Sequence, residues 1–321
     1  LQNESAIGKI SAAHLNHGIR GETAERDMRF CELLCRTLGV ELFTERADVP
    51  AFAKRTGMTL EEAAREYRYA FLERVRRSSG ADCIATAHHK GDQAETVLMH
   101  LLRGSGTKGL SGMQMRSGTI VRPLLTVGRD EILSYLEERG QDYCEDETNL
   151  VNDAFRNRVR NELIPYLKGY NPNVVEALNK TATFCGEDEA LLTTLADEAE
   201  ARMLRDTGLD RRKLGGQPLP LKARIAKKRL TELCGDVSES DVRRVLALCG
   251  ARTGTRIELN HGLSAWTDAW TLYIGGYPDQ KAFEVPFCRD GKTVTPAGTL
   301  VCERAGACRP TEDGLEAYLD A

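Results

Sequence analysis

The chain holds ten cysteines among its 321 residues but no Cys-x-x-Cys anywhere. That absence excludes a zinc ribbon or a thioredoxin-like redox pair, and the scattered spacing excludes a disulfide framework. Free thiols in a reducing cytoplasm are the expectation. No window approaches the roughly 18 consecutive apolar residues of a membrane span, so the sequence predicts no membrane-crossing helix. The opening LQNESAIGKI is too polar to read as a signal peptide. There is no internal repeat, no low-complexity tract and no His-Glu-x-x-His, which removes solenoids, disordered tails and zincin metalloproteases.

What is present is the composition of a globular protein, 41% hydrophobic and 29% charged, long enough for two or three domains. The net charge of −4 hides an asymmetry: residues 201–260 hold 14 Lys/Arg against 7 Asp/Glu, a local net of +7. Such a patch suits an RNA backbone, or is a solvated basic helix face.

Apolar spacing orders the elements. Lys9–Asn16 reads as a strand, Glu22–Leu38 as a helix stopped by Gly39, and Val40–Thr44 as the next strand. Thr59–Val75 reads as a helix opened by a Thr59/Glu62 capping box. Asp82–Thr86 reads as a third strand with a helix after it, and this alternation predicts an α/β fold with a parallel sheet. Beyond Asp130 helices take over: Asp130–Arg139, much of Phe155–Leu167, and Val174–Leu204 with a break near Gly186, where a domain boundary is placed. Leu219–Leu230 and Ser240–Leu248, the latter capped by Ser240, precede short strands at Thr255–Asn260, Leu263–Thr267 and Ala269–Ile274.

The most informative stretch is TAHHKGDQAETVLMHLLRGSGTKGLSGM, Thr86 to Met113. It turns from a strand into a helix through His88, His89 and Gly91. Asp92 and Glu95, three residues apart, then project their carboxylates from one face near the strand ends, where ligands bind in open α/β sheets. Two carboxylates there suit a Mg²⁺ ion held largely by nucleotide phosphates, or simply complement the helix dipole.

HHKGDQAETVLMHLLRGSGTKGLSGM resembles the hallmark segment of the tRNA(Ile)-lysidine synthetases, members of the N-type ATP pyrophosphatase (PP-loop) superfamily. Four further blocks in the expected order are similar to the same family: AAHLNHGIRGETAERD, TLEEAAREYRYAFL, IVRPLLTVGRDEILSYL and DETNLVNDAFRNRVRNELIPYLKGYNP. The resemblance implies a Rossmann-like parallel sheet of the adenine nucleotide alpha-hydrolase kind over residues 1–185. It implies a mainly helical tRNA- and substrate-recognition domain over 186–275, and the start of a C-terminal tRNA-binding domain over 276–321. The implied reaction uses ATP and Mg²⁺ to adenylate O2 of the wobble cytidine of tRNA(Ile) with a CAU anticodon. The ε-amine of free L-lysine then attacks C2 and expels AMP, leaving lysidine. The family includes homodimers, so a second copy of the chain is a further implied partner.

Carried over block by block, the resemblance implies catalytic roles for Asp92, Glu95 and Arg158, with Asp92 as the Mg²⁺ ligand or either carboxylate binding the lysine ammonium. It implies nucleotide contacts for His14, Asn16, His17, His88, His89 and Gly91, although each His88 or His89 ring reads equally as a buried structural group. Arg20, Arg65, Arg68, Arg103, Arg156 and Arg160 are the implied substrate or tRNA contacts. In the basic region Arg224, Lys227, Lys228 and Arg229 repeat along one side of a helix and are candidates for the tRNA backbone.

The family opens on a strand and a Ser-Gly-Gly-x-Asp-Ser phosphate loop, a motif not found in this sequence. The expectation drawn is that the chain is a fragment beginning after that loop and ending inside the C-terminal domain. Two other readings stand beside it. One is another PP-loop tRNA modifier, a thiolase, which the missing Cys-x-x-Cys disfavours. The other is a non-catalytic tRNA-binding relative.

Overall fold

A computed structural model of the chain describes residues 8–18, 21–144, 155–205, 207–235, 237–277, 284–288, 290–295 and 298–302. The chain divides into two compact units, Leu1–Glu189 and Ala190–Ala321, and the cut falls within a long helix.

In the first unit, β1 (Ser11–Asn16) and β2 (Glu41–Arg46) pair in parallel from Ser11↔Glu41 to Asn16↔Arg46. Helix α1 (Glu22–Leu38) is the crossover that parallel strands need, and it ends at Gly39 in the left-handed conformation. Helix α2 (Val49–Thr56) is capped by Asp48, and α3 (Leu60–Ser79) by the expected Thr59/Glu62 box. Leu15, Ala47, Val49, Ala53, Ala63 and Phe71 make the core between these elements.

Strand β3 is only Ile84–Ala85, because its ladder is limited to β5 (Ile120–Val121), parallel to it; β4 (Arg116–Ser117) adds to β5 antiparallel. Among the described residues, then, the parallel pairs form two separate sheets rather than one continuous Rossmann-like sheet. Between β3 and β4 run α4 (Lys90–Leu102) and the short α5 (Thr107–Leu110), and α6 (Arg129–Glu138) follows β5. Next come α7 (Phe155–Arg158), a π-helical turn at Val159–Leu163, and α8 (Ile164–Lys168). Ala94 and Leu98 of α4 bury against Val159 and Ile164, fixing the arginine-rich segment to α4.

Helix α9 runs from Val174 to Ala201 without interruption, so the expected break at Gly186 is absent. One interior glycine costs about 1 kcal/mol, too little to end a helix of this length.

In the second unit, β6 (Leu204–Arg205), β7 (Gly208–Asp210), α10 (Arg211–Gly215), α11 (Leu219–Cys234) and α12 (Glu239–Ala247) precede β8 (Arg256–Glu258), β9 (Ser264–Thr267) and β10 (Thr271–Gly275). The sheet has the order β6-β7-β10-β9-β8 and is antiparallel throughout. The cap of α12 is Ser238, not Ser240: its hydroxyl accepts from the Asp241 N–H at 3.0 Å, the third position into the helix, where a cap acts. Leu214, Ile225, Leu230, Val245, Ala265 and Leu272 are essentially inaccessible and form the core; each large side chain contributes roughly 1.5–3 kcal/mol by burial. Strands β11 (Gly291–Thr295) and β12 (Gly298–Cys302) form a separate hairpin.

Candidate active site

The chain leaves β3 and enters α4 through a cap made by a histidine. His89 Nδ1 accepts from the Gly91 N–H at 2.9 Å, and the His89 N–H donates to Asp92 Oδ2 at 3.0 Å. An accepting Nδ1 carries no proton, so the neutral ring bears its proton on Nε2, which lies 3.5 Å from the same Asp92 oxygen. Gly91 is required here, since a Cβ would stand 2.7 Å from His89 Cε1.

Asp92 and Glu95 share one face of α4, as their spacing predicts, and that face meets α7 and the π-helical turn. Arg156 donates through Nε to Glu95 Oε2 at 2.7 Å and through Nη2 to Asp92 Oδ1 at 3.2 Å. Arg160 donates through Nε to Glu95 Oε1 at 2.5 Å, and through Nη2 to Asp92 Oδ1 at 2.9 Å and Glu95 Oε2 at 3.0 Å. With the His89 N–H on Asp92 Oδ2, every carboxylate oxygen of the pair accepts a hydrogen bond. The Glu95 side chain is only 3% exposed, whereas the arginines are a quarter exposed. Two carboxylates and two guanidiniums neutralise one another at the point where a buried charge must be paired.

This saturation bears on the metal. Both arginines bond Asp92 Oδ1, whereas Asp92 Oδ2 accepts the His89 N–H, so Oδ2 is the oxygen that a Mg²⁺ ion carried by nucleotide phosphates would meet.

His88 Nδ1 lies 2.9 Å from Thr86 Oγ1. Burial pushes its pKa below the usual histidine value; Asp92 opposes this, while the positive charges of Arg122, Arg156 and Arg65 add to it. His88 is therefore a neutral imidazole amid arginines. Arg65, on α3, stacks its guanidinium 5.0 Å from the Tyr69 ring centroid. Arg103 caps the end of α4 and lies 5.9 Å from the Phe155 ring centroid.

Two residues that sequence reasoning passed over belong to this site. Gln93 is buried in α4: its amide nitrogen donates to the Ser111 and Met113 carbonyls at 3.2 and 3.0 Å, and its oxygen accepts from the Met113 N–H at 2.7 Å. It clamps the end of the glycine-rich loop to the helix that carries the carboxylates. Gly112 makes the approach feasible, with φ of +61° and only 2.6 Å between a Cβ there and Gln93 Oε1. Arg122 follows β5, is 7% exposed and donates to the Gln114 carbonyl at 2.7 Å, with no partner for Nε. An arginine between an apolar strand pair and a proline was the available signal for it.

The remaining candidates lie apart. Arg158 has a 63% exposed side chain that lies 3.9 Å from Glu162. The helical repeat explains the split, since Arg156 and Arg160 are four residues apart on one face and Arg158 falls opposite. On the rim of β1, His14 Nδ1 is 3.4 Å from Cys31 Sγ, and burial lowers the His14 pKa despite Asp27 and Glu32. Asn16 is buried, donates to Glu25 Oε1 at 3.0 Å and accepts from the Gly18 N–H at 3.0 Å, so it builds the turn; the His17 carbonyl accepts from the Val49 N–H. Arg68 lies on α3 one turn beyond Arg65. Arg20 lies outside the described residues.

In the second unit Lys228 is tied to Asp197 at 2.7 Å and to the buried Glu200 at 2.8 Å, bonds that hold its ammonium well above the usual lysine range. Arg229 also pairs with Glu200, and Arg224 donates to the Pro220 carbonyl. Lys227 is exposed.

Comparison with known proteins supplies the family. Residues 1–167 match the PP-loop domain. The tRNA(Ile)-lysidine synthase of Geobacter sulfurreducens is 40% identical over 74% of this chain and 52% of its own length. That of Dehalococcoides mccartyi is 35% identical over 87% and 63%, and that of Bacillus subtilis 31% identical over 97% and 70%. A solved U34-tRNA thiolase, NcsA from Methanococcus maripaludis with its [4Fe-4S] cluster, is 20% identical with a TM-score of 0.44 over 55% of this chain and 60% of that one; it adds nothing to the assignment. The domain match runs from the first residue of the sequence to residue 167. The chain spans about half the length of the Geobacter relative. It belongs to the tRNA(Ile)-lysidine synthase family, and its first 167 residues are a PP-loop domain, which implies ATP binding.

Proposed function

We propose that the chain joins L-lysine to C2 of the wobble cytidine of a tRNA(Ile) with a CAU anticodon, using ATP. ATP adenylates cytidine O2 and releases pyrophosphate; the lysine ε-amine then attacks C2, loses a proton, and AMP leaves with the C2–O2 electrons and that oxygen. The observation that carries this reading is the Asp92–Glu95–Arg156–Arg160 cluster at the start of α4, in a chain similar to tRNA(Ile)-lysidine synthases over most of its length.

The residues then divide the work. Asp92 and Glu95 position the two arginines. Arg156 spends Nε and Nη2 on them, leaving Nη1 for the adenylated base or its phosphate. A rigid, pre-paid guanidinium pair stabilises developing negative charge without reorganising. His88, held neutral, is suited to accept a proton from the attacking amine. Gln93 and Gly112 hold the loop that closes over the base, with Arg103 at its root. His14, Asn16, His17 and His89 with Gly91 are assigned to the nucleotide side, and Arg20, Arg65, Arg68 and the exposed Arg158 to the RNA. Mg²⁺ that accompanies ATP is assigned mainly to the phosphates, with Asp92 as its candidate protein ligand.

Residues 1–185 are assigned to catalysis, 186–275 to tRNA recognition with Arg224 and Lys227, and 276–321 to further tRNA contact. The compartment is the cytoplasm, in keeping with the nine described cysteines, all free.

The test incubates the chain with ATP, labelled lysine and a tRNA(Ile) transcript bearing CAU, followed by nucleoside digestion. Lysidine with equimolar AMP supports the reading. Binding of the tRNA without lysine transfer, or sulfur incorporation in its place, overturns it.

A further inference from the structure

The outer face of the sheet in the second unit carries a row of side chains that the reaction leaves unused. Strand register places Arg256 opposite Trp266 and Trp266 opposite Tyr273, one residue from each of three adjacent strands. Their neighbours Ile257, Ala265 and Leu272 point into the core, so by alternation the row points away from it. The chain holds only two tryptophans. Trp266 lies in this row and Trp270 in the turn that joins β9 to β10.

The groups of the row contact one another in sequence. The Trp266 and Tyr273 rings stack with centroids 5.3 Å apart and planes inclined by 14°. Tyr277 stands edge-on to Trp266 at 5.1 Å, and the Arg256 guanidinium lies 4.0 Å from the Tyr277 centroid. Tyr273 donates its hydroxyl to Asp268 at 2.9 Å, which fixes the ring. At the far end Arg212 lies 4.4 Å from the Trp270 centroid. Arg252 is exposed in the turn before β8, and its carbonyl accepts from the hydroxyl of Thr267 on the core-facing side of β9. The acidic groups at this face are Glu258, 3.4 Å from Arg256, and Asp268, already engaged.

We propose that the Arg256–Trp266–Tyr273 row, with Tyr277, is a stacking platform for unpaired nucleobases of an RNA strand. Adjacent strands lie about 4.8 Å apart, so the row spans about 10 Å, the length of roughly three stacked nucleotides. Aromatic rings interleaved with arginines are the chemistry of single-strand binding: rings accept any base, and guanidiniums meet the phosphates and stack in their own right. Charge decides the occupant, since Arg256 in the row and Arg212 over Trp270 suit a polyanion better than an uncharged proline-rich peptide. The inference deepens the tRNA reading and rests on it for the identity of the RNA, though not for the binding itself.

The experiment measures anisotropy of labelled oligouridylate and oligoadenylate with the full chain, without ATP or lysine. It also follows Trp266 fluorescence in a Trp270→Phe background. The expected result is saturable quenching, comparable affinity for both oligonucleotides, and a roughly five- to 150-fold loss in Trp266→Ala. Trp266→Phe should keep most of the binding, which separates stacking from misfolding. Arg256→Ala should reduce the salt slope by about 0.7. Unchanged affinity in a folded Trp266→Ala variant overturns the proposal. So does quenching by a proline-rich peptide or by self-association but not by RNA. Lysidine activity does not enter this readout, so the platform can fail while the lysidine reading stands, and the reverse.

Discussion

Arg156 Nε and Glu95 Oε2 lie 61 residues apart in the chain and 2.7 Å apart in space, and this bond joins α7 to the face of α4 that carries both carboxylates. Because Glu95 is buried and the arginines are a quarter exposed, the contact is more than a surface ion pair and less than a fully desolvated one.

Glu95→Ala should therefore lower stability by about 2 kcal/mol, below the 3–5 kcal/mol of a fully buried pair because solvent reaches the arginines. A urea midpoint measurement checks this. A change under about 0.5 kcal/mol would show that the carboxylate is not what holds the segment.

Gln93→Ala strands two carbonyls and one N–H of the 111–113 segment. It should cost about 2 kcal/mol at most, with the loss concentrated in faster hydrogen exchange at Met113. Gly112→Ala should act on the same loop through its left-handed backbone and the clash with Gln93. Exchange rates at Met113 matching the parent in both variants would contradict the clamp.

His88 and His14 are depressed by burial, so the folded protein binds fewer protons than the unfolded chain below the unfolded value of 6.5. Their contribution to stability is complete above 6.5, and it falls as pH drops through their folded pKa values. Histidine NMR titration should place both midpoints below 6.5, and His88→Asn should flatten the acid limb of stability. A His88 midpoint above 6.5 would contradict the buried neutral ring.

Lys228→Ala should destabilise the second unit by about 1–2 kcal/mol, because the nearly inaccessible Glu200 loses one of its two cations. Lys227→Ala should stay within about 0.5 kcal/mol yet weaken tRNA binding. Thermal melts beside a binding isotherm for each variant separate a structural lysine from an RNA contact. The reverse pattern would exchange their roles.

Much of this was legible in the sequence where local chemistry decides. The bounds of α1, the Thr59/Glu62 box and the shared face of Asp92 and Glu95 follow from capping and helical period. What was not legible depended on partners distant in sequence. That Arg156 and Arg160 face the carboxylates while Arg158 does not was available in principle from their spacing of four. The continuation of α9 through Gly186 was not, since tertiary packing overrides one residue's propensity. Gln93 and Arg122 escaped notice because a buried amide and a buried arginine gain their roles only from the carbonyls they meet. Lys228 looked like an RNA contact until Asp197 and Glu200 appeared beside it.

The most direct test of the account is the rate of lysine transfer to tRNA(Ile) by Arg156→Lys beside the parent chain, with unfolding midpoints measured on the same samples. Lysine keeps the charge but not the fork that grips Glu95 and Asp92. The account predicts a loss of about 100-fold or more, the scale of one lost charge-stabilising donor, with a stability loss of about 1–2 kcal/mol because Arg160 still pairs with Glu95. Transfer within about twofold of the parent would contradict it, and the reaction would have to be sought away from the Asp92–Glu95 cluster.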